Sequence, residues 1–178
     1  MSKVPEFSRP YRLDAIGGEP RAVHIEADEA ERAALAERFG LVSIATLEAD
    51  ATIRREGVRV WAQGRLRGRG VQSCVATGDP IKARVDEPFS LRFDPEGEAA
   101  GDEVELDEAD LDLLPYEGGS IDLGEAVAQG FSLALDPFPR VADAEERLRA
   151  AGVKSEEETE QARIETSPFA ALKTLKGE

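Results

Sequence analysis

Two neighbouring stretches of the chain alternate apolar and polar residues with a period of two, and this pattern constrains the fold more than any other feature. The first covers residues 47–53 and the second covers residues 58–69, with a predicted hairpin turn at 55–57 between them. Successive side chains of a strand point to opposite faces, so each stretch is typical of a strand that buries one face. The sequence therefore predicts an antiparallel sheet within residues 41–93.

Shorter apolar runs and turn residues predict the rest of this sheet. A bulge or bend is expected at Gly68 and Gly70. The additional strands are expected at residues 22–25, 71–75, 81–85 and 89–93, with turns at 77–80 and 86–88.

Two capped helices are predicted to pack on the sheet. Asp28 with Glu31 forms a capping-box pattern at the start of the first helix, and Asp122 with Glu125 repeats it at the start of the second. The expected fold class is α+β: an antiparallel sheet or partly open barrel packed by two helices, with a mobile C-terminal tail.

The chain is expected to form one domain over residues 1–140, followed by a flexible charged tail over residues 141–178. The tail has few apolar residues to bury until its last part, which is predicted to be a short amphipathic segment. That segment either folds back on its own domain or docks on a partner.

The outward side of the second alternating stretch is predicted to be basic. Its guanidinium groups could contact RNA phosphates while Trp61 stacks on an unpaired base. The alternative is a solvated sheet surface whose arginines discourage edge pairing, with Trp61 covered by a helix. The candidate RNA-binding residues are Arg59, Trp61, Arg65, Arg67, Arg69, Lys82 and Arg84.

An acidic region without Lys or Arg runs from residue 93 to residue 139. Residues 94–105 are expected to be a solvating insertion. Residues 111–125 combine apolar side chains with a Pro-Tyr pair and a Gly-Gly turn, so we expect them to pack on the sheet and to present a shaped acidic surface to a basic protein. The candidate partner-binding residues, with those of the C-terminal segment, are Asp110, Asp112, Pro115, Tyr116, Glu117, Asp122, Phe169, Leu172 and Leu175.

Charge and composition argue against several classes of function. The net charge of -15 repels nucleic acid at long range, so RNA contact requires a local basic patch. Cys74 and His24 are the only cysteine and histidine, and no arrangement of residues resembles a nucleophile with its base. No catalytic residue, metal site or cofactor is expected, because the carboxylates at 107–112 also lack EF-hand spacing. No apolar run resembles a signal peptide or a membrane span, so the expected location is the cytoplasm.

Four motifs in a fixed order resemble the YceD family. They lie at residues 74–81 (CVATGDPI), 114–125 (LPYEGGSIDLGE), 133–140 (LALDPFPR) and 168–175 (PFAALKTL). The resemblance extends from about residue 41 to the C-terminus, and the order of the motifs makes it more specific than any one of them. Many relatives carry a second cysteine where this chain has Thr77, so a Cys-x-x-Cys zinc or redox role is not expected here.

The resemblance implies a ribosome-biogenesis factor, without known enzymatic activity, that is associated with accumulation of large-subunit (23S) ribosomal RNA. The expected function is non-enzymatic support of the accumulation or maturation of this RNA. The expected partners are large-subunit rRNA or a pre-ribosome and a basic ribosomal or assembly protein. The alternative is an acidic adaptor or chaperone for a basic ribosomal protein, with no direct RNA contact.

Overall fold

The computed structural model describes residues 5–97 and 112–153, together with residues 159 and 163. Within these ranges the helices are a 3-10 helix (Leu13–Ala15), α1 (Glu29–Arg38), α2 (Leu123–Ala134) and α3 (Ala144–Ala150). The strands are β1 (Pro10–Arg12), β2 (Arg21–Glu26), β3 (Ser43–Glu56), β4 (Arg59–Ser73), β5 (Pro80–Pro95), β6 (Asp112–Tyr116) and β7 (Ser120–Asp122).

The centre of the fold is a five-stranded sheet in the order β2-β3-β4-β5-β6. Its neighbours pair antiparallel, except that β6 runs parallel to β5. Strands β1 and β7 form a separate two-stranded sheet. The predicted α+β fold is confirmed, and the sheet is open rather than closed into a barrel.

Strand β4 shows the predicted alternation. Val60, Ala62 and Leu66 are buried, whereas Arg59 and Gln63 on the other side are exposed. The helices α1 and α2 contribute their buried side chains to the same core as the apolar side of this strand. The apolar face is therefore covered, and the charged face, which we call the outer face, is turned away from this core.

Helix α2 lies close to β4 because glycine occupies position 68. The aromatic ring of Phe131 is fully buried, and a Cβ atom built on Gly68 would lie 2.4 Å from its Cε2 atom. The predicted bend at Gly68 and Gly70 is wrong, since β4 runs through both residues to Ser73. The irregularity lies instead in β3, between Ile44 and Thr46.

The predicted turn at residues 86–88 is also wrong. These residues belong to one long strand, β5, which joins the two short strands predicted at 81–85 and 89–93. Pro88 is tolerated because β6 pairs only with residues 91–95, so in the described structure β5 has a neighbour on one side alone at Pro88. The predicted strand at 71–75 is absorbed into β4, which ends at Ser73.

The capping prediction is confirmed at α1, where Asp28 and Glu31 exchange side-chain and backbone hydrogen bonds of 2.8 Å each. At α2 only half of the predicted box forms. Asp122 accepts a hydrogen bond from the Glu125 amide, but the Glu125 carboxylate binds Arg38 at 2.7 Å instead.

The segment after α2 returns to the loop between β4 and β5. The Val75 amide donates to the Pro139 carbonyl at 2.9 Å, and the Gln72 side chain donates to the Asp136 carbonyl at 2.8 Å. Arg147 of α3 pairs with Asp79 in the same loop. Two of the recognised motifs, residues 74–81 and 133–140, are therefore in contact. The predicted division of the chain at residue 140 stays a prediction.

Within the described ranges, no helix has the length and apolar character needed to cross a membrane. Several predicted features lie outside those ranges: most of the acidic insertion at 94–105, Asp110, and the C-terminal candidates Phe169, Leu172 and Leu175.

Candidate nucleic-acid interface

All of the candidate RNA-binding residues lie on the outer face of the sheet. The five on β4 occupy its odd-numbered positions, and Lys82 and Arg84 occupy matching positions on β5. The register places Arg69 opposite Arg84 and Val71 opposite Lys82. Arg59, Arg65, Arg69, Lys82 and Arg84 are exposed, whereas Trp61 and Arg67 are half-buried.

Carboxylates compensate much of this positive charge. Arg65 binds Asp86 at 2.6 Å, and Arg67 binds Asp50 at 2.7 Å and lies 3.6 Å from Glu48. The Arg67 guanidinium, with a further contribution from His24, lowers the pKa of Asp50, and the Arg65 guanidinium lowers that of Asp86. Exposed ion pairs of this kind are screened by solvent and contribute little to stability, so a phosphate could replace a carboxylate partner at small cost.

One end of the outer face is different. Among the described residues, no carboxylate forms an ion pair with Arg69 or Lys82, although Arg84 lies 3.4 Å from Asp86. A groove of about 200 Å³ opens here. We call it the basic groove; its lining residues are Thr46, Glu48, Arg67, Gly68, Arg69, Arg84, Val85 and Asp86.

At the other end of the outer face, the guanidinium of Arg54 lies 4.8 Å from the centre of the Trp61 ring. Arg54 is the cross-strand neighbour of Trp61. The sequence interpretation missed it, although it occupies the next outward position after Thr52. One side of the indole is therefore occupied by a guanidinium, itself a group on which bases stack.

Arg92 and Asp94 form a buried pair on the same face, with the Arg92 side chain 3.0 Å from Asp94 Oδ2. Arg59 lies 3.7 Å from Asp94 Oδ1, which accepts no hydrogen bond from the described residues. Arg92 therefore anchors the sheet beneath Arg59 rather than offering a free cation.

The acidic candidates that the structure describes fall around β6. Pro115, Tyr116, Glu117 and Asp122 line a groove of about 320 Å³ between β6 and α2. Asp112 is exposed at the start of β6. The Tyr116 hydroxyl donates to the Val58 carbonyl at 2.7 Å, so it ties β6 to the β3–β4 hairpin.

Asp122 is held by bonds within the protein. It accepts hydrogen bonds from the Ser8 hydroxyl at 2.6 Å, the Arg9 amide at 2.8 Å and the Glu125 amide at 3.1 Å. Its carboxylate therefore caps α2 and fastens the N-terminal segment to it.

Glu117 is differently placed. A hydrogen bond with Glu117, together with the negative charge of that side chain, raises the pKa of Glu96 just after β5. A cation from a partner would relieve their repulsion.

Cys74 is 3% exposed and lies beside Thr77. The Thr77 hydroxyl lowers the pKa of the Cys74 thiol to about 7. No group of three metal-ligating side chains is present within the described ranges.

Together, the fold and these surfaces define an acidic α+β protein whose open sheet turns one charged face to solvent. The chain belongs to the YceD family: the family model described as "Large ribosomal RNA subunit accumulation protein YceD" matches residues 62–176. That range contains β4 from Ala62 onward, β5, β6 and α2, and hence most of both candidate surfaces. Comparison with curated proteins and with solved structures finds no match.

Proposed function

We propose that the protein supports accumulation of large-subunit rRNA as a non-enzymatic assembly factor whose outer face contacts the RNA backbone. The observation that carries the proposal is the gathering of all seven RNA candidates, five of them exposed, on the outer face of a protein with net charge -15. Local cations on an otherwise acidic protein favour contact at one place and repel RNA elsewhere. The proposed location is the cytoplasm, where bacterial ribosomes assemble.

In this proposal the two ends of the outer face have different roles. The basic groove holds phosphate, and the layered pair of Arg54 and Trp61 offers a platform for an unpaired base. The two ends are eight residues apart along β4, which corresponds to about 26 Å. A short stretch of single-stranded RNA spans that distance.

The acidic surface around β6 supplies the second half of the mechanism. The exposed carboxylates of Asp112, Glu117 and Glu96 would meet a basic ribosomal or assembly protein, and Asp110, which lies outside the described ranges, belongs to the same proposal. Because β5 borders β6 in the sheet, the RNA and the basic protein would be held side by side.

The alternative function is an acidic adaptor or chaperone for a basic ribosomal protein, with no RNA contact. The ion pairs of Arg65 and Arg67 favour it, since charges that are already compensated do not need a phosphate. Salt dependence separates the two functions, because phosphate contacts release counterions from the RNA and the resulting affinity falls steeply as the salt concentration rises.

Replacing Arg65, Arg67 and Arg69 together with glutamine should weaken binding of single-stranded rRNA fragments at least about tenfold. The slope of log affinity against log salt should become shallower by at least about 0.7, the value for one lost phosphate contact on a single strand. Glutamine is preferred to glutamate because reversed charges would repel Asp50 and Asp86 across the strands. Fluorescence anisotropy over a salt series measures both quantities.

The matched control is the triple variant Arg12→Gln, Arg140→Gln and Arg149→Gln, which removes the same charge from exposed sites outside the outer face. Circular dichroism and melting temperature must show that both variants fold. Equal losses in the two variants, or no RNA binding by the unaltered protein, would rule out an RNA interface on the outer face and favour the adaptor.

In cells, loss of the protein should lower the ratio of large-subunit to small-subunit rRNA, because the proposed role is confined to the large subunit. Quantifying both rRNAs in depleted and complemented cells measures the ratio. An equal fall of both rRNAs would indicate a general growth defect and contradict the proposal.

A further inference from the structure

We infer that the basic groove is a phosphodiester-binding subsite, and that the paired arginines in the middle of the outer face contribute much less to RNA affinity. This inference rests on the proposed function and makes it specific, because it assigns the phosphate contact to one end of the face.

The first support is the charge pattern that the β3–β4 hairpin creates. Its register places Glu56 opposite Arg59, Asp50 opposite Arg65 and Glu48 opposite Arg67. The next outward arginine, Arg69, lies opposite Thr46, which carries no charge. Beyond Glu48, which lines the groove, β3 therefore places no carboxylate opposite an outward arginine.

The second support comes from the opposite side of β4. Arg69 stands directly across from Arg84 of β5, and like charges in that position destabilise a strand pair. Lys82 precedes Arg84 by two positions and lies on the same face, about 6.6 Å away along the strand. Three cations, those of Arg69, Lys82 and Arg84, thus lie close together, and only Arg84 forms an ion pair among the described residues, with Asp86. An anion bound among these cations would reduce the repulsion between them, which the side chains of the protein compensate only in part.

The third support is the shape of the site. The irregularity between Ile44 and Thr46 leaves Ala45 without a partner in β4. Such bulges increase the local twist of a strand, and the groove lies at this point between Thr46 and Arg69. A volume of about 200 Å³ accommodates a phosphate group, and the Thr46 hydroxyl on its wall adds a neutral donor.

The two lining carboxylates, Glu48 and Asp86, decide what kind of anion fits. Three lining guanidiniums face these two carboxylates, so the lining carries a net charge of only +1, and +2 with Lys82. A singly charged phosphodiester suits that balance better than a multiply charged anion. Anionic phosphate oxygens are offered by RNA and DNA as phosphodiesters and, in its singly charged form, by free inorganic phosphate, and the test separates these sources.

The decisive comparison uses two double variants of the full chain with equal charge change on the same face. The groove variant is Arg69→Gln with Lys82→Gln, and the control is Arg59→Gln with Arg65→Gln, whose guanidiniums are paired with Asp94 and Asp86. With single-stranded RNA, the groove variant should lose at least about tenfold in affinity and about 1.4 in salt slope, while the control loses less than about threefold. Matching single-stranded DNA serves as the second ligand and should show the same ranking of variants.

Two further measurements do not depend on RNA. Adding inorganic phosphate should shift the backbone amide signals of Thr46 and Arg69 in NMR spectra of the unaltered protein, and not those of the groove variant. The single variant Arg69→Gln should raise the melting temperature by about 1–3 °C, because it removes the like-charge pair with Arg84 without breaking an ion pair among the described residues.

The outcomes separate the inference from the proposed function. RNA binding that both double variants weaken equally would overturn the subsite and leave the RNA interface standing. Phosphate-induced shifts in a protein that does not bind RNA would support the subsite and refute the proposed RNA function. The inference would be overturned if phosphate caused no shifts and the groove variant lost no more RNA affinity than the control.

Discussion

Replacing Asp122 with alanine is expected to lower the melting temperature of the protein by about 10 °C. The carboxylate caps α2 and also accepts hydrogen bonds from Ser8 and Arg9. Loss of a cap removes about 1 kcal/mol, and loss of hydrogen bonds to a charged acceptor removes about 1.5–3 kcal/mol, so we expect a total near 3 kcal/mol. For a chain of this length each kcal/mol corresponds to about 2–4 °C. Thermal unfolding followed by circular dichroism measures the change.

Asp112→Ala is the matched control, because Asp112 is an exposed carboxylate on the same acidic surface and changes the net charge equally. Its melting temperature should stay within about 1 °C of that of the unaltered protein, since exposed substitutions usually change stability by less than about 0.5 kcal/mol. Asp122→Ser should retain part of the cap. An unchanged melting temperature in Asp122→Ala, together with lost binding of a basic protein, would show that this carboxylate serves a partner.

The alternating pattern predicted the sheet well because one face of each strand is buried. Residues that face the core are apolar and residues that face water need not be, so the alternation in β3 and β4 shows which side chains lie on which face. Capping is similarly local, and the residues that start α1 and α2 were found for that reason. The outward position of all seven RNA candidates followed from the same alternation.

The ion pairs of the outer face were missed although the sequence contained a signal for them. Folding the two alternating stretches about Gly57 brings residues together whose numbers sum to 115, which sets Glu48 opposite Arg67 and places Asp50 one diagonal step from the same arginine. The same rule sets Arg54 opposite Trp61. The prediction treated each strand separately, and an arginine on an isolated strand has no visible partner.

Other features left no local signal. The parallel pairing of β6 with β5 depends on a connection through residues 96–111, and the composition of 86–88 is that of a turn in most contexts. The role of Asp122 depends on Ser8 and Arg9, which lie 114 and 113 positions away in the sequence. Such contacts are set by the tertiary fold and not by the neighbouring residues.

The contact between Phe131 and Gly68 predicts the largest loss of stability. Phe131→Ala should lower the free energy of unfolding by about 4 kcal/mol, because the ring is fully buried between α2 and β4. Gly68→Ala should lower it by about 2 kcal/mol, since its new methyl group would meet the ring at 2.4 Å and force α2 or the side chain to move. Chemical denaturation of purified variants measures both values.

A double-mutant cycle tests the same contact more strictly. In the Phe131→Leu background the smaller side chain leaves room for a methyl group, so Gly68→Ala should lower the free energy of unfolding by much less than it does alone. The expected coupling is about 1–2 kcal/mol, within the range for residues in direct contact. Additive effects would contradict the placement of α2 over Gly68. Gly68 lies between Arg67 and Arg69, which line the basic groove. A coupled result would therefore also mean that the Phe131 ring supports the groove from the core side of β4. Gly68→Ala alone should then weaken RNA binding even though it changes no charge.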